Sequence, residues 1–309
     1  MNIFSKEDLF DFNQLDENGL TDIHKIENRM GIAIDKVGIN RFRVPVQYRY
    51  KDGSIRGHDA EASLYIHCPP GKSGINMSRL CEILTQELSQ DSVSVALFKK
   101  TLGRLRREMR DHEDEPLFED SYFKLRFKVA LKQPSLKSEN WGWQYYDCEM
   151  EGRENREGKV RMFLTLHYEY GSTCPCSLSM AKQYEQEYAR GLTEEGNGIA
   201  SPHSQRSRAR VTVEYDPSRD FFIEELVAIM RHAVPTETQS LVKRMDEQAF
   251  AILSGKNPIF VEHAARRFCH ALNAEPRILD WVVSIEHWES LHSHNASAVI
   301  RKGRAGGLL

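Results

Sequence analysis

The chain has 309 residues, 40% hydrophobic and 28% charged, with a formal net charge of −3. That composition is ordinary for a globular protein with a buried core, and the slight acidic excess argues against a general nucleic-acid or membrane-surface binder. The acidic N-terminus lacks a secretory apolar run, no stretch approaches a membrane span, and the six thinly spread cysteines read as reduced thiols. A cytoplasmic protein without nucleic-acid or membrane partners is expected.

Residues 1–35 read as a polar leader with a short helix or two. A period of two then begins. Phe42, Val44, Val46, Tyr48 and Tyr50 alternate with polar neighbours, and after the turn KDGS (51–54) Ala62, Leu64, Ile66 and Cys68 alternate again. This predicts a hairpin of two long antiparallel strands. Beyond CPPGKSG (68–74) the period becomes helical, with Met77, Leu80, Cys81, Leu84 and Leu88 on one face, then Phe98, Leu102, Leu105 and Met109 on the next helix. Strands return at 122–132, where Phe123, Leu125, Phe127, Val129 and Leu131 oppose a basic face, and at about 141–150. That basic face is either solvated strand surface or a wall facing phosphate or a partner.

The strand VRMFLTLHYEY (160–170) leads into GSTCPCSLSM, followed by a polar helix near 179–191 and a Gly/Ser-rich loop (191–202). A strand at 207–215, helices at 219–234 and 257–274 with helical chain between them, and strands at 279–290 and 295–302 complete the order. Strand pair, helix pair, strand pair thus occurs twice. The pattern predicts an antiparallel α+β fold with helices on one face of a sheet, and a crossover between halves near 133–140.

Four stretches carry ionisable groups. Cys174 and Cys176 flank Pro175. On an extended backbone a Cys-x-Cys pair turns both thiols to one side, too close for an easy disulfide, and the spacing is not that of Cys-x-x-Cys redox or zinc motifs. The pair is a ligand, a nucleophile or turn chemistry, and any metal there needs His, Asp or Glu to complete its shell. His203 stands just before a strand, followed by Gln205, Arg206 and Arg208; it is polar surface, a ligand or a base, and the arginines are exposed charges or phosphate ligands. Glu237 precedes an apparent helix and complements its dipole or serves a site; Lys243 and Arg244 carry the same two readings. EHWESLHSHNAS (286–297) is the densest ionisable stretch, with His287, His292, His294, Glu286 and Glu289 in a turn between strands. An imidazole beside a carboxylate suits proton transfer. One cysteine, one histidine and one glutamate with a water make an open catalytic metal site.

In this order, CPCS (174–177), HSQRS (203–207), LVKRMDE (241–247) with Glu237 before it, NPIFVE (257–262) and ESLHSH (289–294) resemble the GTP cyclohydrolase IB family. DKVGINRFRVPV (35–46) and INMSRLCEIL (75–84) match as well, so the resemblance covers roughly 30–300. It implies two fused tunnelling-fold modules, placed here at 36–136 and 137–303, and a homotetramer with active sites at subunit interfaces. The implied reaction is GTP plus water giving 7,8-dihydroneopterin triphosphate and formate, through metal-activated water attack at guanine C8. Carried over by motif, Cys174, His203 and Glu237 are the implied ligands of one divalent metal, Zn²⁺ or Mn²⁺ with Fe²⁺ also suited. Glu289 anchors the guanine edge, His292 is the acid/base, and Arg79, Arg206, Lys243 and Arg244 are candidates for the triphosphate.

Three departures from the family pattern stand out: a long insertion at 178–202, Asn295 in place of an acid, and Ile252 where a catalytic glutamate is expected, for which Glu247 is the nearest substitute. The competing readings are an NADPH-dependent 7-deazaguanine nitrile reductase of the same fold, which needs the thiol and no metal, and a non-catalytic purine-binding member.

Overall fold

The computed structural model describes Gly19, residues 30–110 and residues 118–308, so most of the expected leader lies outside the described residues. In chain order the elements are β1 (Ile34–Arg49), β2 (Ile55–Cys68), α1 (Met77–Gln90), α2 (Val95–Glu108), β3 (Ser121–Pro134), β4 (Trp141–Glu154), β5 (Val160–Thr173), α3 (Pro175–Ala189), β6 (Ser204–Tyr215), α4 (Ile223–Ala233), α5 (Arg244–Lys256), α6 (Val261–Asn273), β7 (Ile278–His287) and β8 (Ala296–Arg301). The eight strands lie side by side in chain order in one sheet, antiparallel as in the β1–β2 and β6–β7 ladders. The α+β reading therefore holds: β1β2α1α2β3β4 is followed by β5β6α4α6β7β8, with α3 and α5 added in the second set.

The period of two placed the inner face correctly. Ala62, Leu64, Ile66, Phe123, Leu125 and Val129 are fully or almost fully buried, because helices cover that side of the strands. On α1 the stripe differs slightly from expectation: Leu80, Ile83, Leu84 and Leu88 are buried, while Met77 in the first turn is exposed. The Phe98 ring of α2 lies 4.5 Å from Phe123 of β3. By compactness the chain divides into the described residues through Phe127 with Glu149–Met162, and Lys128–Cys148 with the residues from Phe163 onward. Residues 133–140, expected as a crossover, are the end of β3 and its turn into β4, where Ser135 N–H donates to the Asn140 carbonyl at 3.0 Å.

The second unit sets up the region of interest. After α4 the chain runs back along β5. Gly171 N–H donates to Thr236 C=O at 2.7 Å, and Thr238 N–H to Glu169 C=O at 3.2 Å. This segment passes close over β4: a Cβ built on Gly142 would stand 2.4 Å from Ser240 Oγ and 3.2 Å from Leu241 Cβ. Asp246, in the first turn of α5, accepts from Lys137 N and Ser138 N at 2.8 Å each and from Lys243 N at 2.9 Å. The Ser138 hydroxyl, also a donor to it, is the main reason that its carboxyl lies well below the usual range. Under the end of the sheet, His287 is 2% exposed and its Nε2 lies 2.9 Å from Tyr170 Oη.

Two outcomes follow from this packing. Gly142→Ala crowds the 237–241 segment and should lower stability by about 1–3 kcal/mol, as for other overpacked interiors, in urea unfolding. Burial, opposed by the Glu262 carboxylate, pushes the His287 imidazole down to about 4 from its ordinary 6.5. Between those values the unfolded chain binds more protons, so the folded state loses stability as pH falls from about 6.5 to about 4 and loses no more from this group below that. His287→Gln should flatten that part of the stability–pH curve relative to the native chain, by up to about 3 kcal/mol, read by thermal melts across the range.

Candidate functional site

β5 ends at Thr173, and the next residue caps a helix. Pro175 opens α3, since its fixed φ and missing N–H suit a first helical position. Cys174 is the N-cap, and its thiol makes no capping hydrogen bond. The helix therefore begins four residues earlier than the expected 179, and the two thiols do not share one side of an extended strand. Cys174 is half-buried at the end of the sheet, while Cys176 sits exposed in the first turn of α3.

The long insertion leaves the sheet as α3 and returns. Tyr184 Oη closes its loop by donating to Glu195 C=O at 2.6 Å and accepting from Gly198 N–H at 3.1 Å. On return, Cys174 N–H donates to His203 C=O at 3.2 Å, His203 N–H donates to Ser177 Oγ at 3.1 Å, and the Thr173 and Ser204 hydroxyls meet at 2.8 Å. His203 thus folds back beside Cys174.

Around His203 a polar group assembles. Its Nδ1 lies 3.1 Å from Gln205 Oε1 and 3.5 Å from Glu289 Oε2; the His203 and Glu289 side chains are 14% and 12% exposed. Gln205 Nε2 donates to Ser172 Oγ at 2.8 Å and faces Glu289 Oε1 at 3.5 Å. The His292 ring is 6.4 Å from that of His203, edge-on, and stacks at 5.0 Å on His294. The β7–β8 turn that carries Glu289 and His292 is held at its base by Tyr170 and His287, and by Glu289 N–H donating to His287 C=O at 3.0 Å.

Glu237 lies elsewhere in the network. It is 2% exposed, beside Tyr170 of β5. Tyr146 Oη donates to its Oε1, and Arg231 Nε at 2.8 Å and Gln133 Nε2 at 2.9 Å donate to its Oε2. Burial first, then this carboxylate, holds the Tyr146 phenol above its ordinary range, which keeps it a donor. As donors, a thiol, an imidazole and a carboxylate suit a divalent metal. Their arrangement suits it only in part: Cys174 and His203 are neighbours, whereas both oxygens of Glu237 are engaged. Among the described residues no three His, Cys, Asp or Glu side chains form a cluster able to hold an ion.

The remaining expected residues are dispersed. Arg206 is exposed on β6, 3.8 Å from Glu169. Lys243, Arg244, Glu247 and Ile252 are exposed on or beside α5, which packs its Phe250 ring 3.1 Å from the Cβ position of Gly171. Arg79 belongs to the first unit, where its guanidinium donates to the Glu108 and Arg110 carbonyls at the end of α2. Sequence reading gives Gln205 no role and passes over Ser172, Tyr146 and Arg231. Gln205 carried a signal, because two residues after His203 on an extended chain it shares that side; the others depend on tertiary pairing.

The family model described as Type I GTP cyclohydrolase folE2 matches residues 20–298. The chain is 41% identical to GTP cyclohydrolase FolE2 of Cereibacter sphaeroides, over 88% of this chain and 71% of that one. It is 38% identical to that of Paracoccus denitrificans, over 87% and 78%. Among solved structures, uricase from Arthrobacter globiformis superposes with a TM-score of 0.52 at 5% identity, covering 88% of this chain and 94% of that one, a likeness of fold alone. The ordered motifs, the cysteine–histidine contact at the end of the sheet and these matches place the chain in the type I GTP cyclohydrolase FolE2 family.

Proposed function

We infer that the chain is a GTP cyclohydrolase I, of the IB type its motifs resemble, converting GTP and water to 7,8-dihydroneopterin triphosphate and formate. The observation that carries the reading is the convergence of Cys174, His203, Glu289 and His292, from three separate stretches of a chain of this family, at one end of the sheet. Glu289 is the guanine anchor. Its carboxylate accepts from the ring N–H and the exocyclic amine, and its present contacts at 3.5 Å leave acceptor capacity for both. His292, exposed on the turn beside His203, moves protons during ring opening. Arg206, Lys243 and Arg244 remain candidates for the triphosphate; Arg79 is engaged with α2.

One divalent cation, Zn²⁺, Mn²⁺ or Fe²⁺, would be held by Cys174 and His203, with Glu237 as the third ligand that the family resemblance implies. When bound it supplies Lewis acidity toward water and guanine. The enzyme is assigned to the cytoplasm, and no helix among the described residues is long and apolar enough to cross a membrane. A homotetramer with active sites between subunits is assigned on the family resemblance.

Incubation with GTP and Zn²⁺ or Mn²⁺ should release formate and a pterin that fluoresces after oxidation, and chelation should abolish this until metal is restored. Absence of product across several metals would overturn the reading, and activity indifferent to chelation would remove the cation. Cys174→Ala should abolish turnover, and His292→Ala should lower kcat by about 10²–10⁴-fold, the range for a lost general acid–base. Full activity in either variant refutes its role.

A further inference from the structure

Building on the reading of this cluster as the reaction centre, we propose that Gln205 is a positioning residue that selects the tautomer of His203. It holds the proton on Nδ1 and leaves Nε2 with the free lone pair. A carboxamide and a neutral imidazole can each be turned in two ways. At the 3.1 Å contact between them, one side must donate and the other accept. Two self-consistent arrangements result: amide oxygen against Nδ1–H, or amide N–H against a bare Nδ1.

The Ser172 hydroxyl does not choose between them, because it either donates or accepts at 2.8 Å. Glu289 does choose. Its Oε1 lies 3.5 Å from the amide atom next to Ser172, and its Oε2 lies 3.5 Å from Nδ1. In the first arrangement two N–H groups face this carboxylate. In the second an amide oxygen and an imidazole lone pair face it, acceptor against acceptor at both contacts. The first arrangement therefore prevails. Ser172, itself fully buried, fixes the amide plane from behind through its 2.7 Å contact with the buried Ser207 hydroxyl.

An unconstrained neutral imidazole in water favours the Nε2–H form, so this network inverts the ordinary preference. Nε2 is then the nitrogen offered to an electrophile, whether a divalent cation or a proton donor, as hydrogen bonding at the other ring nitrogen does in histidine sites generally.

The test is ¹⁵N NMR of the full-length, metal-free chain labelled at histidine, with the imidazole neutral and the His203 signals identified by their loss in His203→Asn. The native chain should show a pyrrole-like Nδ1 and a pyridine-like Nε2. Gln205→Leu should shift the ring toward Nε2–H and lower formate release about 10- to 100-fold, as for other residues orienting a ligand histidine. Gln205→Glu, which still accepts from Nδ1–H, should keep the native signature. A native chain with Nε2–H as its main form overturns the proposal, and so does a Gln205→Leu chain with an unchanged signature. If Gln205→Leu fails to fold, the native spectrum still decides. Neither GTP nor turnover enters the spectrum, so its failure is distinguishable from a failure of the cyclohydrolase reading.

Discussion

The meeting of Cys174 and His203 at the candidate site depends first on one backbone contact, the hydrogen bond from Cys174 N–H to His203 C=O. It extends the β5–β6 pairing past Thr173 and Ser204, whose hydroxyls already meet, and so closes the base of the excursion through α3. With the base closed, the chain between is free to vary. Loop-closure entropy grows only slowly with length, so a long insertion costs little once both ends are held by ladder contacts. That is why a departure from the family pattern as large as 178–202 leaves Cys174 and His203 adjacent. It also explains how α3 persists with Ala181 as its one buried residue: its ends are fixed by the sheet and its loop by Tyr184, and a buried apolar face is not what holds it.

The two glutamates of the region behave oppositely, and the difference is one of desolvation. Glu237 is sealed in the interior, so its charge must be matched there. It has a cation in Arg231, a phenol in Tyr146 and an amide in Gln133, reaching it from β3, β4 and α4. Removing any one of these leaves a buried charge undercompensated, which makes Glu237 an organiser of the sheet as well as an implied ligand. Tyr146 reinforces this: burial keeps its proton on, so it donates and cannot become a second negative charge. Glu289 lies beside His203 and Gln205 with both contacts at 3.5 Å and no cation of its own at short range among the described residues.

The strands were legible in the sequence because one face of the sheet is covered, and alternation such as Ala62, Leu64, Ile66 and Cys68 reports that cover directly. Trp281, Val283, Ile285 and His287 alternate in the same way and are all buried, a signal that places His287 on the inner face. Charge density in 286–297 masked this by grouping His287 with the turn residues. The start of α3 was misplaced because Cys-Pro-Cys reads as a turn, yet Pro175 at a first helical position turns the same three residues into a helix N-terminus. Exposure of Cys176 follows from that shift alone. The surroundings of Glu237 were not legible at all. Its partners Tyr146 and Gln133 stand 91 and 104 residues away in the chain, and nothing local to VPTETQ distinguishes a buried carboxylate from one that caps a helix.

Satisfaction of acceptors then separates the two carboxylates. A carboxylate has about four lone-pair sites. Those of Glu237 meet three donors at short range in the interior, so a further partner there competes with Arg231, Tyr146 or Gln133. Those of Glu289 meet His203 and Gln205 only at 3.5 Å, beyond good hydrogen-bond geometry. Such contacts are long enough to orient the group electrostatically and too long to saturate it. A carboxylate held in place but left short of donors, at the mouth of a polar cluster, has its strongest available partners in a planar ligand edge with two adjacent N–H groups. The guanine edge of GTP, which we propose Glu289 binds, is such an edge, and the length of the contacts that hold Glu289 leaves it acceptor capacity for one.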